Sequence, residues 1–335
     1  MSLIVRVQLF LVLASLFASH TASAKGEALP YEYYRVGSVS DVVTTTESGI
    51  VLAGGGKDVE AAFQWMCALS GSGDFLIIRA RGTDAYNAYV RELCPGVNSV
   101  ATLIIPDKHA AMHSSVAAII ARAEAIWVAG GDQADYIRAW TETPVQRTLQ
   151  ALIDRGIPVG GTSAGLQILT SFVYSAEGPS GVTSAQALAN PRNHLVTLRR
   201  DFLNIPLLSN TLGDPHFLAR DRMGRNIDFL CRIHDNGWSG QPRGIEVEEG
   251  TALLIEDDGL AFVVGGGVAY FLRTPNSSQV CSRQGPLTVR NIEVYRINAA
   301  GRFDIATWTG SGGNAYTVSS MRGMLSSTQA GGSIN

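Results

Sequence analysis

A chain of 335 residues, with 46% hydrophobic and 16% charged side chains, can bury a sizeable core and is too apolar to stay disordered. Its net charge of -3 offers no basic excess, so nucleic acid is not expected as a partner. The 36 glycines call for many tight turns, as alternating strands and helices require.

Residues 1–24 read as a secretory signal peptide. Arg6 gives the positive start, Leu9 to Ala18 the apolar run, and Ala22-Ser23-Ala24 a small-residue cleavage site. The run is short for a membrane anchor and no later stretch is long and apolar enough to span a bilayer. The mature chain is therefore expected from about Lys25, secreted or periplasmic, with no membrane contact after cleavage. In an oxidising compartment the even set Cys67, Cys94, Cys231 and Cys281 implies two disulfides. Cys67–Cys94 and Cys231–Cys281 close the more local loops and are the expected pairs. No C-x-x-C or nearby histidine cluster suggests a metal.

Lys25 to Ser48 reads as an irregular lead-in, and an α/β rhythm follows. Ile50 to Ala53 is a strand ending in Gly54-Gly55-Gly56. Asp58 to Leu69 is a helix with Val59, Phe63, Met66 and Cys67 on one stripe. Strands at Phe75 to Ile78, Ser99 to Ile105 and Ala125 to Val128 alternate with helices at Asp84 to Leu93 and His109 to Ala123. Gly130-Gly131-Asp132-Gln133 turns into another helical stretch, and Pro144 to Arg155 is a helix. Such alternation predicts parallel β-α-β units, with the site at the carboxyl ends of the strands. The Gly54 corner lacks the spacing of a nucleotide loop and reads as a tight turn that admits close backbone approach, so no cofactor is expected.

Ile157-Pro158-Val159-Gly160 is a buried strand that breaks into Gly161-Thr162-Ser163-Ala164-Gly165, followed by helix-compatible Leu166 to Phe172. G-x-S-x-G between strand and helix is the nucleophile-elbow pattern. Small flanking residues allow the strained turn that lifts the Ser163 hydroxyl clear of the sheet, at a helix start where negative charge is favoured. Beyond it, Gly178 to Asn204 reads as an insertion. From Gly244 the chain is strand-like: Gly244 to Val247, Ala252 to Glu256, Leu260 to Val264, Val268 to Leu272 and Leu287 to Ile297. Gly323 to Asn335 reads as a frayed tail. The predicted class is α/β, a doubly wound, mostly parallel sheet flanked by helices, with a β-rich C-terminal part. The boundaries are 1–24 signal peptide, 25–272 α/β domain and 273–335 β-rich extension.

A serine nucleophile needs a base, and the base an orienting acid. His109 and His113 read as ordinary helix residues, and His194 and His234 lie in polar surroundings. His216 alone combines a neighbouring acid, an aromatic and a polar strand end.

Gly130-Gly131-Asp132-Gln133, Gly161-Thr162-Ser163-Ala164-Gly165 and Asp214-x-His216-Phe217, with Arg220, Arg222 and Arg225, occur in that order. Together, from about Ile50 to Glu256, they resemble the cyanophycinase family of serine peptidases, relatives of the α-aspartyl dipeptidases with a class I glutamine amidotransferase-like fold. The resemblance implies Ser163 as nucleophile, His216 as general base, and the N–H groups of Gly131 and Ala164 as oxyanion hole. Gln133, Asp214, Arg220, Arg222 and Arg225 would line the substrate pocket, the arginines clamping carboxylates and the acid facing a substrate arginine. For the third catalytic member the family pattern points a short way past the nucleophile, where Glu177 is the available acid. Glu246, Glu248 and Glu249 also fall where the family carries acids. The implied reaction is hydrolysis of cyanophycin, poly-aspartate with arginine on each side-chain carboxyl, to β-Asp-Arg dipeptides, with a homodimer left open. Pro215 departs from the family's polar residue at that place, which keeps an Asp-specific dipeptidase acting on short peptides as the runner-up. An inactive binding relative would keep the fold but need not keep Ser163, His216 and Gln133 together.

Overall fold

The computed structural model describes residues 28–275 and 285–335. The signal peptide expected at 1–24 lies outside them, as does Cys281 of the expected Cys231–Cys281 pair. Among the described residues no helix is long and apolar enough to cross a membrane.

The first half builds one sheet. Its strands are β1 (Glu32–Gly37), β2 (Gly49–Ala53), β3 (Asp74–Arg79), β4 (Ser99–Ile104), β5 (Ala125–Val128) and β6 (Val159–Thr162). β4, β3, β5, β6 and β2 run parallel in that order, and β1 closes the edge antiparallel to β4. β2, β4, β5 and β6 are buried along their whole length, as parallel strands covered on both faces must be. Helices α1 (Glu60–Leu69) and α2 (Ala85–Leu93) belong to the core that holds Phe63, Met66, Val90 and Trp127. Helices α3 (Lys108–Met112), α4 (Ser114–Ile120), α5 (Gln133–Trp140), α6 (Pro144–Asp154) and α7 (Ala164–Leu169) contribute to a second core with Ile120, Tyr136, Trp140, Leu149 and Leu166. On α1 Phe63, Met66 and Cys67 of the expected stripe are buried together with Ala62, while Val59 precedes the helix as its half-buried N-cap.

The second half contains β7 (Phe172–Tyr174), α8 (Ser184–Ala189), β8 (Leu198–Arg200), β9 (Thr211–Asp214), α9 (Met223–Asp235) and β10 (Arg243–Val247). The last strands are β11 (Thr251–Glu256), β12 (Leu260–Gly265), β13 (Ala269–Arg273), β14 (Val289–Ile297), β15 (Arg302–Asp304), β16 (Thr309–Ser311), β17 (Asn314–Met321) and β18 (Met324–Ser327). β11, β12, β15 and β16 extend the first sheet beyond β2. The others form a second sheet in the order β18-β17-β14-β13-β10-β9-β7-β8, whose core includes α8 and α9 residues such as Leu188, Phe229 and Leu230. The α/β class with a β-rich C-terminal part holds. The boundary expected at 272 is bridged by the β12–β15 and β13–β14 ladders, so the last strands complete both sheets instead of forming an appendage.

Three local expectations change. The lead-in contains β1, whose half-exposed side chains give no apolar alternation but whose backbone pairs with β4. The helix expected over His109 to Ala123 is two helices, because His113 is extended (φ -71°, ψ 129°) and its Nδ1 accepts from the Ser115 N–H. The tail expected to fray holds β18, paired antiparallel to β17.

Cys67 and Cys94 are joined in a disulfide that links α1 to the end of α2, with Cα atoms 6.3 Å apart. The bridge closes a loop of sequence separation 27, for which chain entropy gives roughly 3–4 kcal/mol. The double variant Cys67→Ser/Cys94→Ser should lose stability of that order in urea unfolding, while an unchanged midpoint would mean the bridge constrains nothing.

Candidate active site

The elbow follows β6 because its glycines leave no room for side chains. A Cβ on Gly161 would lie 2.6 Å from the Gly165 carbonyl carbon, and one on Gly165 only 2.1 Å from the Val128 oxygen of β5. This close seating of α7 on the strands drives Ser163 to φ 54° and ψ -117°, an uncommon conformation for a residue with a side chain. The Ser163 N–H donates to the Ala53 carbonyl at the end of β2 (3.0 Å), which fixes the turn against the neighbouring strand.

The Ser163 hydroxyl lies 2.8 Å from Nε2 of His216. His216 stands just past β9, at φ 50°, and donates its backbone N–H to the Gly54 carbonyl (2.8 Å). Its ring presses on the corner after β2: a Cβ on Gly55 would fall 2.3 Å from His216 Cε1. Gly55 also has φ +90°, so both space and backbone demand glycine there. The Gly54–Gly56 corner, expected to admit close backbone approach, admits this imidazole.

Nδ1 of His216 lies 2.5 Å from Oε1 of Glu249, in the turn between β10 and β11. A carboxylate can only accept, so Nδ1 carries the proton and Nε2 is left with its lone pair towards the serine hydroxyl. Burial, the largest cause, and the charges of Arg220 and Arg222 lower the His216 pKa below its ordinary value, while Glu249 pulls the other way. The ring is thus a neutral base at neutral pH, able to take the Ser163 proton.

The acid expected from sequence, Glu177, is elsewhere. Its carboxylate is held by Arg199 of β8 through Nε (2.7 Å) and Nη2 (3.0 Å), and by Ser175 Oγ (2.9 Å). The Arg199 hydrogen bond holds its pKa below the usual carboxylate range. Glu177 therefore tethers the segment after β7 to β8, and Glu249 takes the place beside histidine. Spacing could not choose among Glu246, Glu248 and Glu249, because the choice depends on which acid the β10–β11 turn presents to the Gly54–Gly56 corner. A Cβ on Gly56 would lie 2.9 Å from Glu249 Cβ, so this acid too is packed against that corner.

Asp214, Arg222 and Arg225 also depart from the pocket role. Asp214 is fully buried. It accepts from Arg222 Nη1 (3.0 Å), from Arg225 Nε (2.9 Å) and from Arg225 Nη2, so its carboxylate is engaged inside the protein instead of lining a pocket. Arg222 Nη1 also donates to the Pro215 carbonyl (2.7 Å), and Arg225 stacks on Tyr174. Burial brings the Arg222 pKa down to about 10. Through Arg222 the cluster holds the Pro215 carbonyl, the peptide that precedes His216. Glu246, level with Asp214 on the adjacent strand, is fully buried as well, and its pKa is raised well above normal first by burial and then by Asp214.

Of the other expected pocket residues, Arg220 is exposed and Gln133 is half-buried, its Nε2 donating to the Tyr174 carbonyl (3.1 Å). Gly131 is exposed, and a Cβ on its neighbour Gly130 would come 3.5 Å from Ser163 Cβ, so this corner flanks the serine. Ala164 is the first residue of α7. Among the described residues no group of histidine, cysteine and acidic side chains is arranged to hold a metal ion.

A strained serine at a strand–helix elbow, hydrogen-bonded to a histidine that a carboxylate orients, is the constellation of a serine hydrolase. The model of peptidase family S51 matches residues 83–263. The chain belongs to peptidase family S51. That membership bears out the serine-type hydrolase class. The cyanophycinase of Trichormus variabilis is 27% identical over 216 residues, covering 63% of this chain and 66% of that protein. The cyanophycinase of Synechococcus elongatus is 26% identical over 276 residues, covering 77% and 80%. The chain thus spans just under two thirds of the first of these relatives. A solved peptidase from an acI-B1 Actinobacterium has the same fold, with a TM-score of 0.50 at 15% identity, over 78% of this chain and 98% of that one.

The two glutamates separate cleanly by experiment. Glu249→Gln should lower kcat by on the order of 10³ to 10⁴, as loss of a histidine-orienting carboxylate does. Glu177→Gln removes a partly exposed ion pair and should leave kcat within about threefold. The reverse ranking would assign the orienting role to Glu177.

The pH profile reports the histidine. The acid limb of kcat/KM should have its midpoint below about 6.5, the ordinary histidine value. Arg220→Gln removes a charge that lowers this pKa, so the limb should move to higher pH. A limb that stays put would show that Arg220 does not act on His216.

Proposed function

We propose that this protein is an exported cyanophycinase-type serine peptidase that hydrolyses cyanophycin to β-Asp-Arg dipeptides through an acyl-enzyme. The observation that carries the reading is the continuous hydrogen-bonded chain from Ser163 Oγ through His216 to Glu249. His216 Nε2 takes the hydroxyl proton as Ser163 Oγ attacks the scissile carbonyl carbon. The oxyanion that forms is stabilised by the backbone N–H groups of Ala164 and Gly131. As the tetrahedral species collapses, the C–N bond breaks and the imidazolium returns its proton to the departing amine. Water, deprotonated by the same nitrogen, then cleaves the ester and frees Ser163.

The kinship to cyanophycinases supports the substrate class, and Arg220, exposed beside the site, is suited to clamp a substrate carboxylate. The signal pattern over 1–24 and the Cys67–Cys94 bridge support export. One observation favours the runner-up, a dipeptidase of short Asp-containing peptides. Pro215 is buried, and its ring offers no polar group to substrate where the family pattern has one.

Incubation of purified protein with insoluble cyanophycin, and separately with Asp-Leu and β-Asp-Leu, tests the reading. Clearing of the granules with release of β-Asp-Arg is expected. Ser163→Ala should reduce the rate by several orders of magnitude. Dipeptide turnover without clearing would replace the cyanophycinase reading by the dipeptidase. No turnover and no labelling of Ser163 by a fluorophosphonate would leave an inactive relative.

A further inference from the structure

β10 carries an acid that the proposed chemistry does not use. Glu246 is fully buried, and among the described residues neither of its carboxyl oxygens has a hydrogen-bond partner. Its side chain turns back along β10 into the space left by Gly244. A Cβ on Gly244 would lie 2.2 Å from Glu246 Oε1 and 2.9 Å from Oδ1 of Asn226, a residue of α9. Register sets Glu246 beside Asp214 of β9 on one side and Tyr270 of β13 on the other. Residues opposite one another on adjacent strands share a face, so the two carboxyl groups lie in one interior.

The groups around Glu246 give it no cation of its own. On β9, Asp214 is a second acid. On α9 and its N-cap, Arg222 and Arg225 are bonded to Asp214 and Asn226 is neutral, while Asp228 further along interacts with Arg232 and Asp235. On β13 the Tyr270 hydroxyl donates to Glu248 Oε1 (3.4 Å), and on β17 the Tyr316 hydroxyl donates to the Ile334 carbonyl (3.3 Å). Arg296 of β14 stands opposite Tyr270. Burial first, and Asp214 second, keep the proton on Glu246, against the pull of the Asn226 amide. A buried charge without a partner is costly, so a Glu246 that ionises must recruit one. The buried cations one side chain away, on Asp214, are Arg222 and Arg225, and Arg222 is the one that also holds the Pro215 carbonyl.

We propose that Glu246 is a positioning residue for His216 and sets a limit on activity at alkaline pH. With its proton, Glu246 is neutral and leaves both arginines to Asp214. When the proton passes to solvent, two carboxylates on neighbouring strands divide the arginines between them. Arg222 then gives up the Pro215 carbonyl, the peptide before His216 loses its hold, and the imidazole moves off Ser163 Oγ. The direction follows from a proton held well above the ordinary glutamate pKa of 4.5. The intact arrangement is fully present below that ordinary value and is lost as pH rises through the raised one. The inference rests on the Ser163–His216 mechanism proposed above and adds to it an acid that touches neither substrate nor histidine.

Labelling of Ser163 by a fluorophosphonate reads the serine–histidine pair without any need for cyanophycin. Its rate is followed from about pH 5 to 9.5, which spans an ordinary histidine and a raised carboxyl and stops short of Arg222 at about 10. In the unsubstituted protein the rate should rise as His216 loses its proton, then fall about tenfold per pH unit past the Glu246 midpoint. Glu246→Gln and Glu246→Met have no proton to lose there, so each should keep the acid limb and show no alkaline fall. Either variant suffices if the other does not fold; if neither folds, the fold needs the acid itself and the proposal fails. An equal alkaline fall in unsubstituted and variant proteins, or none in the unsubstituted protein, overturns it. So does a fall that coincides with loss of the near-ultraviolet circular dichroism, because Glu246 would then act on the whole fold. Absence of labelling at every pH would remove the Ser163 mechanism and the proposal with it. Granule clearing, measured in parallel, bears only on the substrate.

Discussion

The approach of His216 to the glycine corner after β2 is the constraint on which the site depends. β9, which delivers the histidine, belongs to the second sheet, whereas β2 and the elbow strand β6 belong to the first. Glu249 lies in the turn where the chain passes from β10 of one sheet to β11 of the other. The reacting groups thus meet only along the seam between two sheets, and the hydrogen bond from His216 N–H to Gly54 is one stitch in that seam. A side chain on Gly55 would push the imidazole away and open the distance to Ser163.

The ion cluster beneath the histidine follows from the same demand. Burying Asp214 with Arg222 and Arg225 removes three charges from water, at a cost that mutual attraction only partly offsets. Hydrophobic residues would fill the space with less penalty. What they would not supply is a directional hold on the Pro215 carbonyl, which Arg222 provides one peptide from His216. The arrangement spends stability on position, a trade common where a backbone is held at positive φ.

These clusters also explain which parts of the molecule were legible in the sequence. The parallel strands, the stripe on α1 and the elbow are local matters, written in runs of apolar residues and in glycine spacing, and their forms follow from short-range sterics. Ser163 and His216 stood out for the same reason. The resemblance points to Glu177, a short way past the nucleophile, whereas the acid beside His216 is Glu249, supplied by a turn that only the sheet seam brings near. The resemblance places Asp214, Arg222 and Arg225 in the pocket, and their mutual satisfaction in the interior has no local signature. β1 was missed since its pairing lies in backbone groups that every sequence carries.

Assembly from separate sheets has a kinetic meaning. Ser163 and His216 are 53 residues apart and His216 and Glu249 are 33 apart, and the histidine reaches its place only when both sheets are present. Contacts of such separation form late, after local helices and neighbouring strands, because closing long loops is slow. A chain still being made therefore holds a serine with no base beside it. Hydrolytic power arrives only with the completed tertiary structure, so the folding order itself keeps the nascent chain inert.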